Sequence, residues 1–314
     1  MRDFSVLAGD ALGIMTPLLL AALGGLFTEL AGMLNIALEG LITIGAFAAA
    51  AAIHGAVAMG IGGGATVGMA GGAALGLAAG AVAGAVVALG YGLGSQRLKA
   101  NDFVAGLATN LLATGLVVAL AGRLLGNKGT VSLPIPGLPR PFRSGILGSL
   151  PFFGEVLFRQ DILTYLSWAA VALTWLVIAK TPFGLRLRAA GSNPRALVAL
   201  GHRPERYRLA AVVISGLACG LAGASLTVGL AAYVPDVSSG RGWIALVAIY
   251  LGGRKAGGVL AACFVFAFAD SLSNWAQGFL TVPSDFILAM PYVITLAALV
   301  AGAAWRNARG GLPR

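Results

Sequence analysis

Long apolar stretches alternate with short polar or basic segments along the whole chain. Residues 9–27, 33–53, 61–91, 103–125, 162–179, 209–233 and 286–304 each form a run of the length a helix needs to cross the hydrocarbon core of a bilayer. Residues 242–252 are equally apolar but too short to cross alone; Arg254 and Lys255 end them, and a further apolar run, 259–272, follows. A half-length helix is tolerated in a membrane only where protein or water covers its ends, so 242–252 predicts a re-entrant or broken helix. The long non-apolar connection, residues 126–160, carries Pro134, Pro136, Pro139, Pro141 and Pro151, which exclude a continuous helix through its middle. The pattern predicts an all-α integral membrane protein with about nine (eight to ten) transmembrane helices in one transmembrane domain, residues 1–314.

Composition agrees with this pattern. Of 314 residues, 58% are hydrophobic and 10% charged, and the mean hydropathy is +0.90, whereas a soluble domain carries about 25% charged residues. The net charge of +10 is not a nucleic-acid signal. The basic residues cluster between apolar runs, with no aromatic–basic interleaving, as topology requires. Cys219 and Cys263 both lie inside apolar runs and read as small packing residues, not as a disulfide or a metal site. Arg2 and Asp3 cancel, so the start of the chain lacks the positive region of a cleaved signal and the first apolar run reads as a span.

The densest charge lies between two spans, in Lys180–Arg208, where seven basic residues stand against Glu205 alone. A short basic loop of this kind stays in the cytosol. Placing Arg97, Lys99, the 181–208 loop, Arg254, Lys255 and the basic tail (Arg306, Arg309, Arg314) inside puts the 126–160 loop and the N-terminus outside. Within the basic loop Ser192-Asn193-Pro194 reads as a helix start, with a capping side chain and proline in the first turn, and Gly201 as its stop. A short amphipathic helix presented to the cytosol follows, the docking element of the protein.

Glycines at 60, 64, 68, 72, 76, 80 and 84 recur every fourth residue and form one ridge of the third span, along which another backbone can approach closely. Polar and ionisable side chains inside apolar runs face a protein interior or a wet pathway. They are Glu29, Asn35, Glu39, Asn110, Asp270 and Asn274. Glu29 and Glu39 flank the junction of the first two spans, where Gly24, Gly25 and Gly32 can break the helix; such acids either line a pathway or cap helices at a headgroup boundary. His54 reads as a solvated loop histidine at the outer end of the second span. There is no H-E-x-x-H, no G-x-S-x-G and no G-x-x-x-x-G-K-[ST], so the chain shows no catalytic or metal constellation and no ATP-hydrolysing motif of its own.

Four blocks carry a resemblance: ALGGLFTELAGMLNIALEGLITIGAFAAA at 22–50, NDFVAGLATNLLATGL at 101–116, FGLRLRAAGSNPRALVALG at 183–201 and SSGRGWIALVAIYLGG at 238–253. Together, and in this order, they resemble the permeases of ABC importers for nucleosides, simple sugars and branched-chain amino acids, closest to the nucleoside-type branch. The departures are Leu30 where Arg is common, Thr109, Tyr250, and Arg195, which reverses the charge of a docking surface. The resemblance implies a multi-pass protein of the bacterial inner membrane that is not itself an enzyme. Its coupling helix would be formed by Gly191, Ser192, Asn193, Pro194, Arg195, Ala196 and Gly201, seated on a separate ATP-binding subunit that holds ATP and Mg, with no cofactor on this chain. It further implies a second permease, a paralogue, and an extracytoplasmic binding protein that meets the 126–160 loop. Asn35, Glu39 and Asn110 carry over as pathway or helix-break residues, with Asp270 beside them as an intramembrane acid. Gly240, Arg241 and Gly242 carry over as a turn near the outer gate, where Arg241 also has the option of contacting the binding protein.

The rival from another class is a self-sufficient secondary carrier or channel, which would show paired broken helices and a midplane ion site. Glu39 and Asp270, in loosely corresponding halves, keep that reading open; a purely structural membrane protein fits the intramembrane acids less well.

Overall fold

The computed structural model describes residues 2–59, 67–135, 138–141 and 154–277. The helices in chain order are α1 (Arg2–Leu30), α2 (Leu38–Ala58), α3 (Val67–Leu98), α4 (Asp102–Leu124), α5 (Ile162–Lys180), α6 (Pro182–Ser192), α7 (Pro194–Ala199), α8 (Pro204–Leu230), α9 (Arg241–Leu251) and α10 (Ala256–Ala276). A pair of two-residue strands, β1 (Val131–Ser132) and β2 (Ala232–Tyr233), is antiparallel with Val131 opposite Tyr233. Among the described residues seven helices (α1 to α5, α8 and α10) are long and apolar enough to cross a membrane, and α9 is a shorter apolar helix. The chain is an all-α, multi-pass membrane protein. The expected span at 286–304 and the basic tail lie outside the described residues, as do Gly60, Gly64, Pro136 and Pro151.

Several expected boundaries move. Helix α1 runs unbroken through Gly24 and Gly25, because both glycines are packing contacts: a Cβ on Gly24 would lie 2.7 Å from Ala218 Cβ, and one on Gly25 2.8 Å from Ile249 Cδ1. The second span begins at Leu38, not at residue 33, and extends past His54, which is half-buried in the helix and not in a loop. In α10 the apolar run is helical over 21 residues, long enough for a span by itself.

Two compact units are present. The smaller comprises the described parts of residues 1–15, 140–160 and 261–314. In it the Gln160 amide donates to the carbonyls of Gly9 and Val156, both at 2.9 Å, and the Ser271 hydroxyl donates to Leu7 O. The larger unit, residues 16–139 and 161–260, holds α2, α3, α4, α8 and α9. Its centre is a three-way approach of backbones. A Cβ on Gly84 of α3 would fall on the Gly216 carbonyl of α8, and one on Gly223 of α8 on the Ile42 carbonyl of α2. A Cβ on Gly80 would lie 2.7 Å from the Gly45 carbonyl of α2 and 2.6 Å from Ala224 Cβ. The four-residue ridge predicted on α3 therefore docks into matching glycines on α8 and α2, which is how helices gain dispersion contacts where lipid supplies no hydrophobic drive. Thr227 adds a hydrogen bond from α8 to Ala46 O of α2 at 3.0 Å. At the β1–β2 end, Phe47 and Tyr233 meet edge to face, 6.0 Å between centroids, inside a cluster with Ile53, Val117 and Ile135.

Hydrogen bonds collect the basic markers of this unit at its opposite end. Arg208 donates to Ala31 O and Ala190 O, Arg254 pairs with Glu29 at 3.0 Å, and Tyr91 and Gln96 near the end of α3 reach Leu34 O and Met33 Sδ. By the positive-inside rule such a basic end is expected on the cytosolic side.

The ridge predicts an order of sensitivity. Gly84→Ala forces backbone apart and is expected to destabilise by roughly 1–3 kcal/mol. Gly72→Ala meets only an Ile135 methyl at 3.3 Å, and Gly90→Ala meets nothing within 4 Å, so both should melt close to the parent. Thermal unfolding in detergent reads the order, and equal melting of Gly84→Ala and Gly90→Ala would contradict the packing described.

Candidate functional site: a broken span and the loop beneath it

Helix α1 stops at Gly32, whose φ of +76° is the left-handed conformation that glycine adopts without strain. Gly32 N–H bonds to Glu29 O at 3.1 Å and Met33 N–H to Thr28 O at 3.0 Å, the paired closure of a Schellman stop. The chain then runs non-helically through residues 33–37 before α2 starts. Irregular backbone at membrane depth requires partners for its polar groups, and here two asparagines supply them. Asn110, 8% exposed on α4, donates to Ile36 O at 2.9 Å and accepts from Gly40 N–H at 2.8 Å. Asn35, 1% exposed, accepts from Ala37 N–H at 3.1 Å and donates to the Ser215 hydroxyl of α8 at 3.0 Å.

Glu39, in the first turn of α2, closes a second junction. Its Oε1 accepts from the Ser238 hydroxyl at 2.5 Å and from Gly240 N–H at 2.9 Å; its Oε2 accepts from Gly242 N–H at 2.7 Å. Gly240 is the residue before α9, with φ +81°, and Gly242 lies in its first turn. One carboxylate thus caps the N-terminus of α9 while standing at the N-terminus of α2, where two helix dipoles favour its negative charge. No Cβ fits on Gly242, because it would fall on the Glu39 backbone. Arg241 turns its guanidinium onto its own loop, donating to Val237 O and Ser238 O at 3.0 and 3.2 Å. Asn110 lies eight residues along α4 from its cytosolic start and Gly242 nine residues along α9 from its cytosolic end. These are about 12–14 Å at 1.5 Å per residue, close to half of a ~30 Å core. The Gly240–Gly242 turn, carried over by resemblance as a turn near the outer gate, packs against the start of α2. Asp270 and Asn274 lie on α10 in the smaller unit, half-buried and exposed respectively.

The cytosolic loop also differs from the single helix start expected at Ser192. Gly191 and Ser192 belong to the last turn of a separate helix, α6, and Ser192 bonds back to Arg188 O instead of capping forward. The break falls at Asn193 (φ −147°, ψ 78°), since the proline that follows disfavours helical backbone there. Asn193 caps α7 by accepting from Ala196 N–H at 3.1 Å, and Gly201, φ +78°, ends it with Gly201 N–H on Val198 O and His202 N–H on Leu197 O. The start of α6 carries the same signature, Thr181 capping Gly184 N–H ahead of Pro182. Leu197 anchors α7 inward, whereas Arg195, Ala196, Val198 and Leu200 are exposed, the last two at 58% and 75%. Gly191 meets the end of α1 backbone to backbone: a Cβ there would fall on Leu30 O, and one on Gly32 would lie 2.8 Å from Gly191 Cα. The Arg208 guanidinium ties the same two chain ends by holding carbonyls of Ala31 and Ala190, a cation at two helix C-termini. The loop is therefore seated on the break that Asn35, Asn110 and Glu39 secure.

Asn110→Leu strands Ile36 O and Gly40 N–H at membrane depth and is expected to lower stability by about 1–3 kcal/mol for each group left unpaired. Glu39→Gln keeps the shape but removes the charge between two helix N-termini, and it should destabilise less than Glu39→Ala. Melting curves of the three variants in detergent check the ranking; an Asn110→Leu variant as stable as the parent would show that the break is satisfied some other way.

Comparison with known proteins identifies the family. Residues 7–302 match the family described as the permease component of branched-chain amino acid transport systems. The guanosine ABC transporter permease protein NupQ of Bacillus subtilis is 34% identical over 304 residues, 95% of this chain and 92% of its own length. The nucleoside ABC transporter permease protein NupC of Lactococcus lactis is 30% identical over 304 residues, with the same two shares. The ribose import permease protein RbsC of Bacillus subtilis is 29% identical over 160 residues, 51% of this chain and 45% of its own length. No solved structure matches. A family match across nearly the whole chain, on a multi-pass helical fold with a broken span and a capped loop beneath it, makes this protein a member of the branched-chain amino acid transport system permease family, the permease component of an ABC transporter.

Proposed function

We propose that this chain forms the solute pathway of an ATP-driven nucleoside importer, together with a second permease, and that α7 is its coupling helix. The observation that carries the reading is the build of α7. It is capped at both ends, anchored by Leu197, and exposes Arg195, Val198 and Leu200 at the basic end of the bundle. Exposed apolar residues within a basic loop suit a protein partner better than water or lipid headgroups. That partner is a separate ATP-binding subunit carrying ATP and Mg.

Movement of α7 would be transmitted through α6, Gly191 and Arg208 to the end of α1, and from there to the break before α2. Closure of the ATP-binding subunits would then shift the permease between outward- and inward-facing states. Asn35, Glu39 and Asn110 act on transport by holding the break, and Asp270, an acid inside an apolar helix, lines the pathway. Nucleosides are favoured as cargo because the two relatives that align over 95% of the chain are named for guanosine and for nucleosides, while a putative glucose permease of Haloferax volcanii aligns over 83% and the ribose permease over 51%. An extracytoplasmic binding protein delivers the solute to the 126–160 loop.

Deleting residues 193–201 should leave membrane insertion intact and abolish recovery of an ATP-binding subunit in a gentle detergent pull-down. Full recovery of that subunit would remove α7 from the coupling role. Uptake of labelled guanosine by cells carrying the complete transporter should be competed by other nucleosides and not by ribose or leucine; competition by leucine alone would overturn the nucleoside assignment.

A further inference from the structure

A cavity of about 610 Å³ opens at the cytosolic end of the larger unit, between the end of α5, α6 and the α9–α10 turn. Leu30, Trp175, Arg188, Arg254, Lys255 and Gly258 are among the residues that line it, and among the described residues no acid does. The carboxylate that reaches this wall, Glu29, is engaged by Arg254 at 3.0 Å and by the Tyr250 hydroxyl at 2.9 Å. Of the three cations lining the cavity Arg254 pairs with this carboxylate, while Arg188, whose Nε donates to Gly184 O at 3.4 Å, and Lys255, both exposed, add positive charge at the cavity. Gly257 and Gly258 stand in the first turn of α10, whose amides have no intrahelical acceptor. Such a set recognises a phosphate.

What lies beside the cavity selects among phosphates. On the side of α5 that lines the cavity, Trp168, Val171 and Ile178 are half-buried and Ala172 and Trp175 exposed, an apolar face as expected of one turned to lipid. Trp175 stands near the cytosolic end of that helix with Lys180 Nζ 5.9 Å from its ring centroid, the place where tryptophan marks a membrane–water boundary. A ligand with a phosphate in the cavity and acyl chains along α5 satisfies both the charge and the apolar face, and basic pockets between spans on the cytoplasmic side bind anionic headgroups. We infer that this cavity is a binding site for the headgroup of an anionic phospholipid, independent of the solute pathway and of the importer reading.

The test is native mass spectrometry of the full chain, purified in mild detergent and supplied with equal amounts of phosphatidylglycerol and phosphatidylcholine. Phosphatidylglycerol should be retained preferentially. The double variant Arg188→Gln/Lys255→Gln should lower that retention by about tenfold or more, and Arg188→Lys/Lys255→Arg should restore it. Arg254 is left in place because its pairing with Glu29 is structural. An unchanged melting temperature separates loss of the site from loss of the fold. Equal retention of the two lipids, or unchanged phosphatidylglycerol on the double variant, would overturn the assignment. Displacement of phosphatidylglycerol by millimolar inorganic phosphate would make this a free-anion site and overturn the lipid. Loss of a co-purified ATP-binding subunit with lipid retention unchanged would make it a protein-docking surface and overturn the lipid as well.

Discussion

In a hydrocarbon environment every backbone amide and carbonyl must find a partner inside the protein, and this structure depends on that constraint where it is hardest to meet. The chain between α1 and α2 leaves helical form at the basic end of the larger unit and runs non-helically to the start of α2. Asn110 and Asn35 stand in for the hydrogen bonds that the helix gives up, and the Glu39 carboxylate does the same for the first turn of α9. Among the described residues no buried side-chain nitrogen or oxygen is left without a partner. These three side chains and their partners join α2, α4, α8 and α9 as one assembly.

A junction of this kind suits a moving part. Two short backbone stretches, each held by a few directional bonds, can re-pair more readily than a continuous helix can bend. Below it, the Gly32–Gly191 approach and the Arg208 bridge link the end of α1 to the loop that carries α7. The glycine packing of α3 on α8 and α2 provides the stiff frame against which such a part moves. Ridge glycines give dispersion contacts that are many, short and undirected; the break has few contacts, all directed. The contrast follows from the two residue types, since glycine permits approach and asparagine and glutamate supply partners.

Ionisable groups within the bundle divide by what they meet. Glu39 meets helix amides and a serine hydroxyl, while Glu29 meets Arg254 and Tyr250 at the cytosolic end. Both acids were legible as costly residues inside apolar runs, but a cost alone does not say what offsets it. Their partners are about 200 residues away in sequence. Ser238 and Tyr250 carry no local pattern that would have singled them out as partners of these acids.

The amino-acid sequence by itself determined the class, the positions of most spans, the short helix before Gly252, the glycine ridge, and the cap and stop of α7. Each of these rests on neighbouring residues alone: hydropathy over a span's length, the four-residue repeat, a capping side chain before a proline, a glycine after the last turn. Four recurring blocks also carried the family. Only the tertiary structure decided that Gly24 and Gly25 pack without bending α1, that Gly191 and Ser192 close α6, and that Glu39 caps α9. Those outcomes turn on which distant backbone approaches a given position. Glycine and glutamate accept several such roles, and the choice among them is made by whatever packs against them across the bundle.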